Sequence, residues 1–179
     1  RDRSEQAARQ MPRAARTPVI YSKAEEKELE QVAKAYRNFL NVGKTERECV
    51  TQIIREARAA GYESLEEKTA KGEKLKAGDK VYTVGMKKII ALFHIGQDDI
   101  SEGMNILGAH IDSPRLDVKQ NPLYEDTDLA YLDTHYYGGV KKYQWVTLPL
   151  AIHGVVVKKD GSTAEVNIGE DEDDPIVYI

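Results

Sequence analysis

The fold is decided by one stretch, Gly108-Ala109-His110-Ile111-Asp112-Ser113-Pro114-Arg115, which follows a short apolar run. The run predicts a buried strand over residues 105–111, and Pro114, which cannot donate a hydrogen bond to a ladder, is expected to end it. Side chains two residues apart on a strand point to the same face. His110 and Asp112 are therefore expected to converge on one ion or on each other.

Two arrangements of this pair remain open. In the first, His110 and Asp112 both ligate a metal ion. In the second, His110 ligates and Asp112 hydrogen-bonds the ring, which fixes its tautomer and raises its basicity. An isolated histidine is more often structural than a ligand, so the pair alone is a weak signal. Ser113 is not a candidate nucleophile, because the sequence places no His-Asp pair to activate it.

Longer motifs around the pair strengthen the metal interpretation. They are His110-Ile-Asp-Ser-Pro-Arg-Leu-Asp117, Asn121-Pro-Leu-Tyr-Glu125, Thr134-His-Tyr-Tyr-Gly-Gly139 and Lys141-Lys-Tyr-Gln-Trp145. Together they resemble the aspartyl aminopeptidase family, a group of zinc aminopeptidases that also contains vacuolar aminopeptidase I. The resemblance runs from about residue 85 to residue 161, and more loosely back to residue 22.

The resemblance implies a dinuclear zinc exopeptidase that removes acidic or neutral N-terminal residues from peptides and forms a large homo-oligomer. His110 would be the first metal ligand, and Asp112 would orient it. The other ligands and the general base of the family lie in a C-terminal half, and a histidine from a neighbouring subunit would align just past Ile179. The sequence has no H-E-x-x-H, no C-x-x-C and no second H-x-D. A catalytic zinc needs about three protein ligands, so the chain is expected to be an inactive N-terminal portion.

Two other interpretations remain. One is a short, catalytically dead relative that serves as an assembly or interaction module. The other is a different metal-dependent hydrolase that combines His110 and Asp112 with further ligands, although no other cluster of histidine or aspartate is evident in the sequence.

Composition sets the wider class of the protein. The 179 residues carry a net charge of -4, which argues against binding to nucleic acid, since phosphates demand a basic face. No apolar run of about 18 residues is present, so no membrane association is expected. The single cysteine, Cys49, suits a reducing compartment and predicts a cytoplasmic protein with a buried, inert thiol.

The expected fold class is α/β. Ser22 with Glu25 and Thr45 with Glu48 form capping-box patterns that each open a helix, and the apolar stripe of each helix is predicted to be a core face. A surface loop is predicted over residues 66–79. Strands are predicted at 80–84, 88–95 and 105–111, and further β segments at 145–148 and 152–158.

Three domains follow from this pattern and from the family resemblance. Residues 1–21 are expected to be a disordered or leader segment, and residues 22–117 the first part of a catalytic sandwich of helices and a mixed sheet. Residues 118–179 are expected to begin an inserted β-rich oligomerisation domain.

Three histidines receive no catalytic role. His94 is predicted to be structural or partly exposed, His135 to lie in a packed loop, and His153 to stand at a strand end. The acidic run at residues 170–174 is predicted to be a solvated loop, because it lacks the spacing of a calcium loop.

Overall fold

A computed structural model describes residues 21–175. The predicted leader, apart from residue 21, and the last four residues lie outside this range. The chain divides into two compact units at the Asn38–Phe39 peptide bond. The elements are mixed α and β, as predicted, whereas the predicted domain boundary between residues 117 and 118 stays a prediction.

The first helix, α1, spans Lys23–Val42, as predicted. The Ser22 hydroxyl accepts from the Glu25 backbone N–H at 3.3 Å, and the Glu25 carboxylate accepts from the Ser22 N–H at 2.7 Å, which completes the predicted capping box. The prediction that its apolar stripe is a core face was wrong, because Val32 and Tyr36 are more than 60% exposed. Helical spacing shows that a helix has an apolar face but not what covers it.

The second helix, α2, spans Glu46–Ala59 and begins with the predicted Thr45–Glu48 capping box. Its apolar face is buried, with Cys49, Val50 and Ala57 each at most 5% exposed. These residues pack with Val81 and Tyr82 of a neighbouring strand and form the buried core of the described residues. The second helical stripe is therefore a core face, as predicted.

The core strands form a three-stranded sheet. They are β1 (Glu63–Ser64), β2 (Lys80–Gly85) and β3 (Ile89–His94), in the order β1-β2-β3, with β1 parallel and β3 antiparallel to β2. A short helix, α3 (Leu65–Ala70), follows β1, so the predicted surface loop over residues 66–79 was wrong in its first part. The Ser64 hydroxyl caps α3 by accepting from the Glu67 N–H. This N-cap allows a helix to begin in a segment whose high charge had suggested a loop.

The predicted strand over residues 105–111 is absent from the described structure. Residues 103–114 form no ladder, and Ile106 and Leu107 are 80% and 101% exposed. An apolar extended segment becomes a strand only when another strand pairs with its backbone, and the described residues supply none. Pro114 therefore does not end a strand but immediately precedes the next one.

Two antiparallel hairpins follow. The first pairs β4 (Arg115–Asp126) with β5 (Leu129–Tyr137), and the second pairs β6 (Ile152–Val157) with β7 (Thr163–Ile168). The predicted β-rich character and the strand at 152–158 are confirmed. The predicted β segment at 145–148 was wrong, since Trp145 ends a short helix, α4 (Lys142–Trp145).

Candidate functional site

The candidate site is the segment that leads from His110 into β4. The Nδ1 atom of His110 lies 3.1 Å from Oδ1 of Asp112 and 2.9 Å from the backbone carbonyl oxygen of Asp112. The predicted contact between the two side chains is therefore present, although the strand that was expected to create it is not.

The geometry determines which ring nitrogen of His110 is free to bind a metal ion. Both atoms that face Nδ1 are acceptors, so in a neutral ring the proton belongs on Nδ1 and the lone pair on Nε2. The Nε2 atom makes no hydrogen bond within residues 21–175, and the His110 side chain is 83% exposed. This donor set suits a histidine that ligates a metal through Nε2 while a carboxylate orients the ring.

The second oxygen of Asp112 has a partner that the sequence did not reveal. The Tyr137 hydroxyl donates to Oδ2 of Asp112 at 2.7 Å, across 25 residues of sequence. This hydrogen bond is the main cause that lowers the pKa of Asp112, and the nearby His110 lowers it further. The same bond raises the pKa of Tyr137. Asp112 is thus held as a carboxylate and Tyr137 as a neutral phenol.

Arg115 anchors the start of β4 beside this pair. Its Nε donates to Asp117 at 2.7 Å and its Nη1 to Glu46 at 3.0 Å, in the first turn of α2. Its guanidinium carbon lies 4.1 Å from the centre of the Tyr137 ring. The antiparallel register pairs Arg115 directly with Tyr137. A hairpin predicted over these two strands from the sequence could have indicated that Tyr137 lies beside the His110–Asp112 segment.

Cys49 lies close to the same segment from the side of α2. Its thiol is buried and lies 3.6 Å from the carbonyl oxygen of Ile111 and 3.5 Å from that of Gly43. Burial, with smaller effects from Glu48 and Glu46, raises the pKa of the thiol. The predicted burial of Cys49 is confirmed, and a raised pKa agrees with the predicted lack of reactivity.

The other histidines are dispersed. His94 is exposed at the end of β3, in agreement with the prediction. His135 lies in β5, so its predicted loop position was wrong. His153, near the start of β6 as predicted, is 11% exposed and lies between Glu48 at 2.7 Å and Glu170 at 2.9 Å. Sequence analysis missed this bridge because its partners are far apart in the chain.

No group of three or more histidine, cysteine or acidic side chains within residues 21–175 is arranged to hold a metal ion. Among these residues, His110 with the Asp112 carboxylate on its ring has the chemistry of a zinc ligand and an orienting group. A complete catalytic zinc site needs about two more protein ligands. The helices of the same range include none that could cross a bilayer.

Comparison with known proteins decides the family. A family model described as aminopeptidase I zinc metalloprotease (M18) matches residues 39–179. The chain belongs to the peptidase M18 family. The resemblance inferred from the motifs around His110 is thereby confirmed, and the α/β fold class agrees with the fold of solved relatives.

Three relatives illustrate the M18 match. A probable M18 family aminopeptidase 1 of Clostridium acetobutylicum is 58% identical over 159 residues, covering 87% of this chain and 34% of its own length. The crystal structure of aminopeptidase I from Borrelia burgdorferi B31 superposes with a TM-score of 0.82 at 39% identity, over 89% of this chain and 38% of that one. An M18 aminopeptidase structure from Thermotoga maritima gives a TM-score of 0.76 at 43% identity, over 84% and 32% of the two chains. The chain therefore spans about a third of the length of the curated relatives it matches.

Proposed function

We propose that this chain supplies the first zinc ligand, His110, and its orienting carboxylate, Asp112, to a zinc aminopeptidase. The reaction would be metal-assisted hydrolysis that removes acidic or neutral N-terminal residues from peptides, with two zinc ions in the complete site. The observation that carries the proposal is the engagement of His110 Nδ1 by Asp112, which leaves Nε2 open in a chain of the M18 family.

The described residues have definite tasks in such a site. His110 binds through Nε2, and Asp112 holds the Nδ1 proton so that the ring keeps one tautomer and one orientation. Tyr137 and Arg115 keep the Asp112 carboxylate in place. Zinc, when bound, polarises the scissile carbonyl and lowers the pKa of a bound water. The carboxylate that accepts the proton of that water would lie outside this sequence.

This division of labour predicts that the 179-residue chain alone is inactive. One ligand with one orienting carboxylate cannot retain a catalytic zinc ion, because about three protein ligands are needed. We propose a cytoplasmic location, which the one cysteine of this sequence, buried and free, supports.

We further propose that the β4–β5 hairpin takes part in self-association into a homo-oligomer. Leu123 and Leu129 are 72% and 58% exposed, and Tyr124 and Tyr131 stack with ring centres 5.2 Å apart on the same hairpin. Exposed apolar patches of this kind are typical of protein interfaces. The same observation supports the alternative that a catalytically dead relative would use this region as an assembly module.

The deciding experiment compares His110→Ala with His94→Ala in the intact polypeptide that carries this segment. Zinc per subunit is measured by elemental analysis, and hydrolysis is measured on acidic and neutral aminoacyl substrates. We expect His110→Ala to lose one of two zinc ions and at least most of the activity, whereas His94→Ala, at an exposed strand end, behaves like the wild type. Unchanged zinc content in His110→Ala would refute the assignment. Wild-type protein with neither zinc nor turnover would favour the assembly module.

A further inference from the structure

We infer that Tyr137 is a positioning residue for the metal ligand, acting through Asp112. This inference rests on the proposed role of His110 in zinc binding. The two oxygens of Asp112 have separate partners: Oδ1 lies 3.1 Å from His110 Nδ1, and Oδ2 accepts from the Tyr137 hydroxyl at 2.7 Å. A carboxylate held at both oxygens cannot rotate without breaking one of these contacts, so Tyr137 limits the directions in which Asp112 can hold the imidazole.

The Tyr137 ring is itself held in place. The Arg115 guanidinium stacks on it, with 4.1 Å between the guanidinium carbon and the ring centre. Arg115 is fixed in turn by Asp117 on β4 and by Glu46 on α2, at 2.7 Å and 3.0 Å. A cation held by two carboxylates against an aromatic face restricts the ring, so the hydroxyl is presented to Asp112 in one orientation.

Backbone contacts hold the end of β5, which carries Tyr137, beside the segment that carries Asp112. Gly138, directly after Tyr137, has φ +72°, and a Cβ at this position would lie 3.4 Å from the Cα of Pro114. The end of β5 therefore lies against the segment that follows Asp112. On the other side, the Cys49 thiol lies 3.6 Å from the carbonyl oxygen of Ile111. Asp112 therefore lies between two backbone contacts, one from Ile111 to α2 and one from Pro114 to the end of β5.

The expected effect is on metal affinity. Removal of a partner that orients a ligating histidine typically weakens metal binding by about 10–100-fold. Tyr137 acts one contact further away, and His110 Nδ1 keeps its 2.9 Å contact with the Asp112 carbonyl oxygen. Loss of the hydroxyl should therefore weaken zinc binding by about tenfold, at the lower end of that range.

The test uses the intact polypeptide, stripped of metal, with Tyr137→Phe and Tyr136→Phe as a matched pair. Both substitutions remove one hydroxyl from β5 and keep the ring, but only Tyr137 donates to Asp112. The zinc dissociation constant is measured by competition with a chromophoric chelator, and the visible spectrum of the cobalt(II)-substituted protein reports ligand geometry. We expect Tyr137→Phe to raise the dissociation constant about tenfold and to alter the cobalt spectrum, and Tyr136→Phe to change neither.

A double-variant comparison separates positioning from general stabilisation. If Tyr137 acts through Asp112, then Tyr137→Phe should weaken zinc binding no further in an Asp112→Ala background. A zinc dissociation constant in Tyr137→Phe equal to that of the wild type overturns the inference. So does a lowered unfolding midpoint of the metal-free protein with unchanged zinc affinity, because that result marks a purely structural role.

His110→Ala, measured in the same assay, separates failure of the proposed zinc-binding function from failure of the positioning role of Tyr137. Unchanged zinc affinity in His110→Ala would mean that the proposed function itself is wrong. Loss of zinc in His110→Ala together with wild-type affinity in Tyr137→Phe would leave the proposed function standing and remove only the role of Tyr137.

Discussion

The Nδ1 atom of His153 lies 2.7 Å from Oε1 of Glu48, although 105 residues separate them in the sequence. The contact joins the start of β6 to the first turn of α2. The opposite ring nitrogen, Nε2, lies 2.9 Å from Glu170, so a histidine that is only 11% exposed bridges two carboxylates.

We predict that His153→Ala destabilises the fold. Hydrogen bonds to charged groups contribute about 1.5–3 kcal/mol each. The alanine would remove the contacts with both Glu48 and Glu170, but Glu170 is 44% exposed, so most of the loss is expected from the Glu48 contact. A loss of about 2 kcal/mol in the free energy of unfolding is expected, measured by urea denaturation. His94→Ala is the control, because that histidine is exposed, and it should change the free energy little. Equal effects of the two substitutions would show that the bridge contributes nothing.

Glu48 predicts a specific dependence of stability on pH. Burial raises its pKa, but the hydrogen bonds from His153 and Thr45 outweigh burial, so the folded-state pKa lies below the ordinary value of 4.5. A carboxyl group with a lowered pKa stabilises the fold above its unfolded-state pKa, and this contribution is lost as the pH falls through the folded-state value.

The comparison of wild type with Glu48→Gln isolates this contribution. Other acidic groups with lowered pKa values are common to both proteins and cancel in the difference. We expect the wild type to be the more stable protein at about pH 7, and the gap to narrow steadily as the pH falls below 4.5. A gap that stays constant down to the acid transition would contradict the predicted shift.

A side chain at Gly43 is predicted to destabilise the fold. A Cβ at this position would lie 2.8 Å from the Cys49 sulfur and 3.1 Å from the carbonyl oxygen of Phe39. Overpacking of this kind costs about 1–3 kcal/mol, so Gly43→Ala should lower the unfolding midpoint. Gly96→Ala is the control, since its nearest neighbour would lie 4.0 Å away. Combining Gly43→Ala with Cys49→Ala should recover part of the loss, because the sulfur is the closer obstacle.

The turn between β4 and β5 is predicted to carry strain at Thr127. Thr127 and Asp128 have φ of 52° and 61°, which is typical of a type I′ hairpin turn and costly for a β-branched residue. Thr127→Asn should raise the free energy of unfolding by about 0.5–1 kcal/mol, because asparagine adopts this conformation more readily. Thr134→Asn, within β5, should instead lower it, since asparagine is disfavoured in strands. Thermal denaturation of the two variants beside the wild type checks both signs.

Sequence analysis identified the elements whose signals are local. The capping boxes at Ser22 and Thr45 predicted the starts of both helices, and the run at residues 152–158 predicted β6. The contact between His110 and Asp112 was also predicted, but for the wrong reason. The segment is not a strand. The contact arises because the local backbone conformation places the His110 ring against Asp112, two residues further along the chain.

The remaining features depend on partners that local sequence does not specify. Tyr137 meets Asp112 only through the β4–β5 register, and Glu46 meets Arg115 across 69 residues. The apolar positions of residues 104–107 predicted burial, yet burial needs a covering surface, and Ile106 and Leu107 are 80% and 101% exposed in the described structure. Periodicity indicates which face is apolar and says nothing about what lies against it.

The first turn of α2 holds both hairpins, through Glu46 to Arg115 of β4 and through Glu48 to His153 of β6. Local opening of this single turn would release both contacts at once. We therefore expect opening of this turn to loosen both hairpins, since each would lose a contact with it. The strand that follows His110 is therefore tied to a helix end that contributes no candidate ligand of its own.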